Sequence, residues 1–170
     1  MNVHDIKLLL LDVDGVLTDG SIIIDTDGME YKRFHVRDGM GLVAWRKMGL
    51  RAGILTGRPS VITTRRAAEL GIDLIEQGHA MDKVIGYENL CRVAEASDEQ
   101  VAFVGDDLAD LPVLCRVGYP VAVADAAEEV RSEAKYVTTA PGGRGAVREV
   151  VEHLLKQMGR WDEVLESYGL

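Results

Sequence analysis

What most restricts this chain is a set of short apolar runs in which polar residues do not alternate. Ile6 to Val13 is one, Gly53 to Leu55 before Thr56-Gly57-Arg58 a second, and Val101 to Val104 before Gly105-Asp106-Asp107 a third. A strand with one wet face alternates in polarity. These runs do not, so both of their faces are covered, as in a parallel sheet sandwiched by helices. Leu74-Ile75, Tyr119 to Val123 and Tyr136-Val137 add shorter strand candidates. Helical periodicity lies between them, at about Gly41–Met48, Val61–Leu70, Met81–Ala94, Asp110–Arg116 and Ala146–Met158. The alternation predicts an α/β fold, a doubly wound parallel sheet.

One segment departs from that rhythm. Ser21 to Asp25, then Asp27-Gly28, then Met29 to Phe34 reads as a β-hairpin with Asp-Gly turn chemistry. It follows the first strand, where a helix would be expected, and forms an insertion at about residues 21–35. The chain carries no proline-rich linker and no repeat. Its 170 residues suit a single domain (1–170) ending in a tail at about residues 159–170.

Composition removes several functions. The formal net charge is −9, from 19 Lys+Arg against 28 Asp+Glu, which disfavours nucleic acid and anionic membrane surfaces. No run of 18 apolar residues marks a membrane span. Met1 to Asp5 does not begin a signal peptide, so a cytoplasmic location is expected. Cys91 and Cys115 fit neither a disulfide framework nor a zinc pattern and read as small buried hydrophobes.

In an open α/β sheet, ligands bind beyond the carboxyl ends of the strands. The polar residues at those ends are Asp12, Asp14 and Thr18, then Thr56, Gly57 and Arg58, then Asp106, Asp107 and Asp110. Lys83 opens a helix between them. Clustered carboxylates need a cation, and an all-oxygen set favours Mg²⁺. Thr56 can hydrogen-bond a phosphate oxygen, and Lys83 can neutralise developing charge. Asp12 can attack phosphorus and form an acyl phosphate. Asp14, of the same strand parity, can serve as general acid and then base. That division expects an ionised Asp12 and an Asp14 with a raised pKa.

Asp12-Val13-Asp14-Gly15-Val16-Leu17-Thr18, Thr56, Lys83 and Gly105-Asp106-Asp107-Leu108-Ala109-Asp110, in that order, resemble the haloacid dehalogenase phosphatase superfamily. The resemblance implies Asp12 as nucleophile and Asp14 as acid/base. It also implies Mg²⁺ held by Asp12, the Asp14 carbonyl and Asp106. Too little chain separates the motifs for a cap domain, so the capless branch is implied, with homotetramers whose neighbouring subunits cover each other's active sites. Within that branch, Phe34 to Gly41, Gln77-Gly78 and Gly142 to Glu149 are similar to the octulosonate 8-phosphate phosphatases of lipopolysaccharide inner-core synthesis. Nonulosonate 9-phosphatases typically carry Glu where this chain has Arg58. Resemblance further implies substrate contacts for Asp14, His35, Val36, Arg37, Asp38, Gly39, Gly57, Arg58, Arg66 and Lys83.

Plainer readings compete. Asp12-Val13-Asp14-Gly15 is ordinary turn chemistry, and Lys83 could be a solvated helix lysine. Asp107 or Asp110 could cap the helix near Leu111, with Asp110 orienting Lys83 or a metal-bound water from outside the ligand set. His35 suits hairpin packing as well as substrate. Gly142-Gly143-Arg144-Gly145 lacks a P-loop's Lys-Ser/Thr and reads as a bend, with Arg144 able to reach a neighbour's site. A phosphorylatable receiver domain uses similar residues, but its acidic pair comes early in the chain, whereas here Asp106-Asp107 comes late.

Overall fold

A computed structural model describes residues 3–80 and 82–170. After a 3₁₀ turn at Val3–Asp5, the chain forms β1 (Leu8–Leu11), the hairpin strands β2 (Ile23–Ile24) and β3 (Glu30–Tyr31), and α1 (Val36–Lys47). Next come β4 (Arg51–Thr56), α2 (Val61–Glu69), β5 (Leu74–Gln77), α3 (Lys83–Ala94) and β6 (Val101–Gly105). A 3₁₀ turn (Leu108–Asp110) leads into α4 (Leu111–Leu114), β7 (Tyr119–Ala122), α5 (Glu128–Glu133), β8 (Tyr136–Val137), α6 (Ala146–Gln157) and α7 (Trp161–Glu166).

Six strands form one parallel sheet in the order β5-β4-β1-β6-β7-β8. All four residues of β1 are buried, as the unbroken leucines require, because β4 and β6 flank it and helices cover both faces. The chain runs outward from β1 through β4 to β5, then returns to β6 on the other side. The carboxyl ends of β1, β4 and β6 therefore lie around the point where strand order reverses, the usual crevice of such sheets.

The hairpin is present but shorter than its sequence span, with only Ile23–Ile24 paired to Glu30–Tyr31. Helix α1 begins five residues earlier than its apolar periodicity suggests. Helix α3 begins at Lys83, and Met81, where the periodicity starts, lies outside the described residues. Met1 and Asn2 lie outside them as well. Cys91 is half-buried and Cys115 exposed, a correction to the buried reading. The reason is that α4 is a single turn and Cys115 sits at its end.

Candidate active site

A cleft opens above the strand ends and is lined by Asp12, Asp14, Thr56, Gly57, Arg58, Lys83 and the Asp106-to-Asp110 turn. Asp12 is the residue after β1, and its N–H donates to the Val104 carbonyl at 3.0 Å, so sheet pairing sets its position. The turn that follows is shaped by Thr18, whose hydroxyl donates to the Val13 carbonyl at 3.3 Å and accepts from the Gly20 N–H at 3.2 Å. Gly15, at φ +94°, lets the turn pass the Asp106 carboxylate, which fills the space a Cβ would need. Gly142 likewise meets the Gly15 carbonyl oxygen, so the loop before α6 buttresses the turn.

Lys83, buried, lies between two carboxylates. Its ammonium donates to Asp110 Oδ1 at 2.6 Å and sits 3.0 Å from Asp12 Oδ1, in ion-pair range though angled away from hydrogen-bond geometry. Asp110 Oδ2 accepts from the backbone N–H groups of Asp106 (2.9 Å) and Asp107 (3.3 Å). Both Asp110 oxygens are thus engaged, and Asp110 orients Lys83 and the turn. Asp107 is exposed and caps the Leu108 N–H at 2.8 Å, the plainer of its two readings.

Asp12, Asp106 and Asp110 bring carboxylate oxygens within 4.8 Å of one another. Asp106 Oδ1 is buried with no hydrogen-bond partner among the described residues. On the protein's own charges alone, burial and then repulsion by Asp110 push Asp12 up to about 6. Burial and then Asp12 and Asp110 push Asp106 up to about 8. Lys83 moves up as well, because the attraction of Asp12 and Asp110 outweighs the opposing effect of burial. Three carboxylates face one ammonium, so the all-oxygen site is short of about two positive charges. A hard divalent cation such as Mg²⁺ fits that shortfall, with Asp12 and Asp106 to hold it.

Two residues that the sequence did not single out stand behind the rim, against Asp14 and Arg58. Lys32, with a side chain only 3% exposed, pairs with the Asp14 carboxylate and lies 3.8 Å from Glu30. Glu30 accepts from Arg58 Nη2 at 3.1 Å and from the Ser60 hydroxyl at 2.8 Å. Glu30 and Lys32 lie two apart on an extended segment and so share a face. That parity was the available signal.

The structure does not bring every expected residue to the cleft. Asp38 is buried and faces α6, accepting from the N–H groups of Arg148 (2.8 Å) and Gly145 (3.2 Å). Gly39 is buried against Arg66 and Leu70. Arg66 pairs with Glu69 at 3.1 Å and lies over the Phe34 ring. Val36 and Arg37 are exposed, and His35 precedes α1 with its Nδ1 buried and unpartnered among the described residues. None of these lines the cleft of its own chain: α1 turns its residues outward or toward α6, and Arg66 on α2 is held by Glu69 and Phe34.

Crowded carboxylates beside a buried hydroxyl and a buried ammonium, at the switch point of a parallel sheet, suit a metal-dependent hydrolase of phosphate esters. The model of the haloacid dehalogenase-like hydrolases matches residues 61–149. The 3-deoxy-D-manno-octulosonate 8-phosphate phosphatase of Escherichia coli K12 is 46% identical over 160 residues, 94% of this chain and 85% of that protein. The crystal structure of the same phosphatase from Moraxella catarrhalis, in complex with magnesium ion, phosphate ion and KDO, is 40% identical. It superposes with a TM-score of 0.94 over 98% of this chain and 95% of that one. The Yersinia pestis phosphatase is 42% identical with a TM-score of 0.91, over 94% and 86%. The chain belongs to the haloacid dehalogenase-like hydrolases, in the family of 3-deoxy-D-manno-octulosonate 8-phosphate phosphatases.

Proposed function

We propose that the chain hydrolyses 3-deoxy-D-manno-octulosonate 8-phosphate to the free sugar acid and phosphate, in the cytoplasm, on the route to the lipopolysaccharide inner core. The observation that carries the chemistry is the buried Asp12 and the half-buried Asp106 beside Lys83 on the floor of the cleft. An Asp12 oxygen attacks phosphorus as the ester P–O bond breaks, and Asp14 gives its proton to the leaving oxygen. Water then attacks the aspartyl phosphate and gives its proton to Asp14, releasing phosphate and restoring Asp12. Buried Thr56 and Lys83 hold the phosphoryl oxygens. Mg²⁺ held by Asp12, Asp106 and the Asp14 carbonyl neutralises phosphate charge. Gly57 and Arg58 at the rim meet the sugar acid, Arg58 through its charge.

The whole chain acts as one domain, and four copies assemble. The hairpin supports that reading: Ile22, Ile24, Met29 and Tyr31 are all more than half exposed. In such an assembly His35, Val36, Arg37, Arg66 and Arg144, none of which lines the chain's own cleft, serve a neighbouring subunit's cleft.

Phosphate release from a panel of sugar phosphates, with and without EDTA, tests the proposal. Octulosonate 8-phosphate should turn over fastest, and EDTA should abolish the reaction. Faster release from a nonulosonate 9-phosphate would overturn the substrate. Asp12→Asn should fold normally yet lose turnover, and a near-normal rate in that variant would end the nucleophile's role.

A further inference from the structure

We propose that Lys32, carried in by the hairpin insertion, is the positioning residue for Asp14. Three observations carry this. The Lys32 side chain is 3% exposed, and its ammonium pairs directly with the Asp14 carboxylate. An ammonium out of contact with water is strongly unfavourable unless it is paired, so Lys32 has little freedom to leave its carboxylates. The second neighbour of Lys32 is Glu30, 3.8 Å away, and Glu30 is itself fixed by Arg58 and by Ser60, the N-cap of α2. An alternating chain of charge, Asp14–Lys32–Glu30–Arg58, therefore runs from the turn after β1 to the turn after β4. The hairpin spans both.

Lys32 has this role only if Asp14 is the acid and base of the proposed hydrolysis. Asp14 sits on a turn beyond the end of β1, where its side chain has freedom that Asp12, held by the sheet, lacks. Cleavage of a primary alkyl phosphate needs a proton delivered to the leaving oxygen as the P–O bond breaks. The carboxyl that delivers it must lie within hydrogen-bond reach of that oxygen. Lys32 confines the carboxyl to the mouth of the cleft, and Glu30 holds Lys32 on the same face as Arg58. Proton donor and sugar-acid contact are thereby registered to each other. Lys32 itself touches neither the phosphorus nor the nucleophile.

A leaving-group comparison on the intact protein with Mg²⁺ separates this role from others. Wild type, Lys32→Met, Lys32→Gln, Lys32→Arg and Asp14→Asn are assayed on octulosonate 8-phosphate and on p-nitrophenyl phosphate. Single-turnover release of p-nitrophenol reads the first step with a leaving group that needs no proton. Lys32→Met and Lys32→Gln should lose about 10- to 100-fold in kcat on the sugar phosphate. Their KM should change less than about threefold, and single-turnover p-nitrophenol release should stay within about twofold of wild type. Lys32→Arg should recover most of the loss. Thermal melts identify any neutral variant that does not fold, leaving the other to decide.

A rise in KM at constant kcat would make Lys32 a substrate contact and overturn the proposal. Equal losses on both phosphates would make it merely structural, and an unchanged sugar-phosphate kcat would also overturn it. If Asp14→Asn itself turned over the sugar phosphate normally, the acid/base reading would fail. If Asp14→Asn were inactive and both neutral Lys32 variants behaved as wild type, only the role of Lys32 would fail.

Discussion

At the scale of single residues, Lys83 is the most constrained side chain in the site. It is the first residue of α3, with a hydrogen bond to Asp110 and an ion pair to Asp12. A neutral side chain there leaves two buried carboxylates facing each other with nothing between them. Lys83→Met should therefore lower stability by about 3 kcal/mol, the cost typical of stripping one partner from a buried pair, read by denaturant titration. It should also lower kcat by about 100-fold or more, because a donor aimed at developing charge is gone. Lys83→Arg should not restore turnover, since the planar guanidinium cannot replace a compact ammonium in this gap. A folded Lys83→Met protein with near-normal turnover would show that Lys83 only balances charge in the fold.

At the scale of elements, α1 and α6 are joined by Asp38. Gly145 precedes α6 and has no side chain to cap it, so the carboxylate from α1 takes the exposed N–H groups at that end. Burial raises the Asp38 pKa even against those hydrogen bonds. Asp38→Ala should cost about 1–2 kcal/mol, as loss of a helix cap does, seen as a fall in Tm of about 2–8 °C. KM for octulosonate 8-phosphate should change less than about twofold. A several-fold rise in KM with Tm unmoved would return Asp38 to the substrate. The start of α1 was illegible for a related reason. Val36 to Gly41 mixes polar residues with two glycines, and those glycines let α1 press against Arg66 and against the backbone of Arg148. Only the tertiary packing shows why. Helices α5 and α7 escaped notice because each is six residues long and buries a single apolar side chain, Val130 or Val164. The strands were legible because β1 and β6 are covered on both faces and cannot alternate. Asp12, Thr56, Asp106 and Asp110 were legible because they end or closely follow those strands, and the cleft gathers them. Lys32 was not, since its partner lies 18 residues away and a hairpin lysine ordinarily points into water.

At the scale of the whole molecule, the net charge of −9 disfavours polyanions without excluding a small anionic substrate, because charge acts locally. Part of the excess is packed into the acidic cluster, where it bears on folding as well as on reaction. In an unfolded chain, Asp12 and Asp106 release their protons near pH 4. In the folded chain without metal, burial and mutual repulsion make them hold those protons to higher pH, about 6 and about 8. Between pH 4 and 8 the folded state thus binds more protons than the unfolded one, and the cluster makes folding less favourable as pH rises. A divalent cation competes with those protons and binds the ionised carboxylates, so its stabilising effect must grow over the same window. The expected result is a larger Mg²⁺-dependent rise in Tm at pH 8 than at pH 5, measured against EDTA at matched ionic strength. Asp106→Asn, which removes one ionising ligand, should shrink that difference. An equal Mg²⁺ effect at both pH values would mean that the cation binds away from Asp12 and Asp106. The fold would then tolerate its buried acids by some means other than the metal.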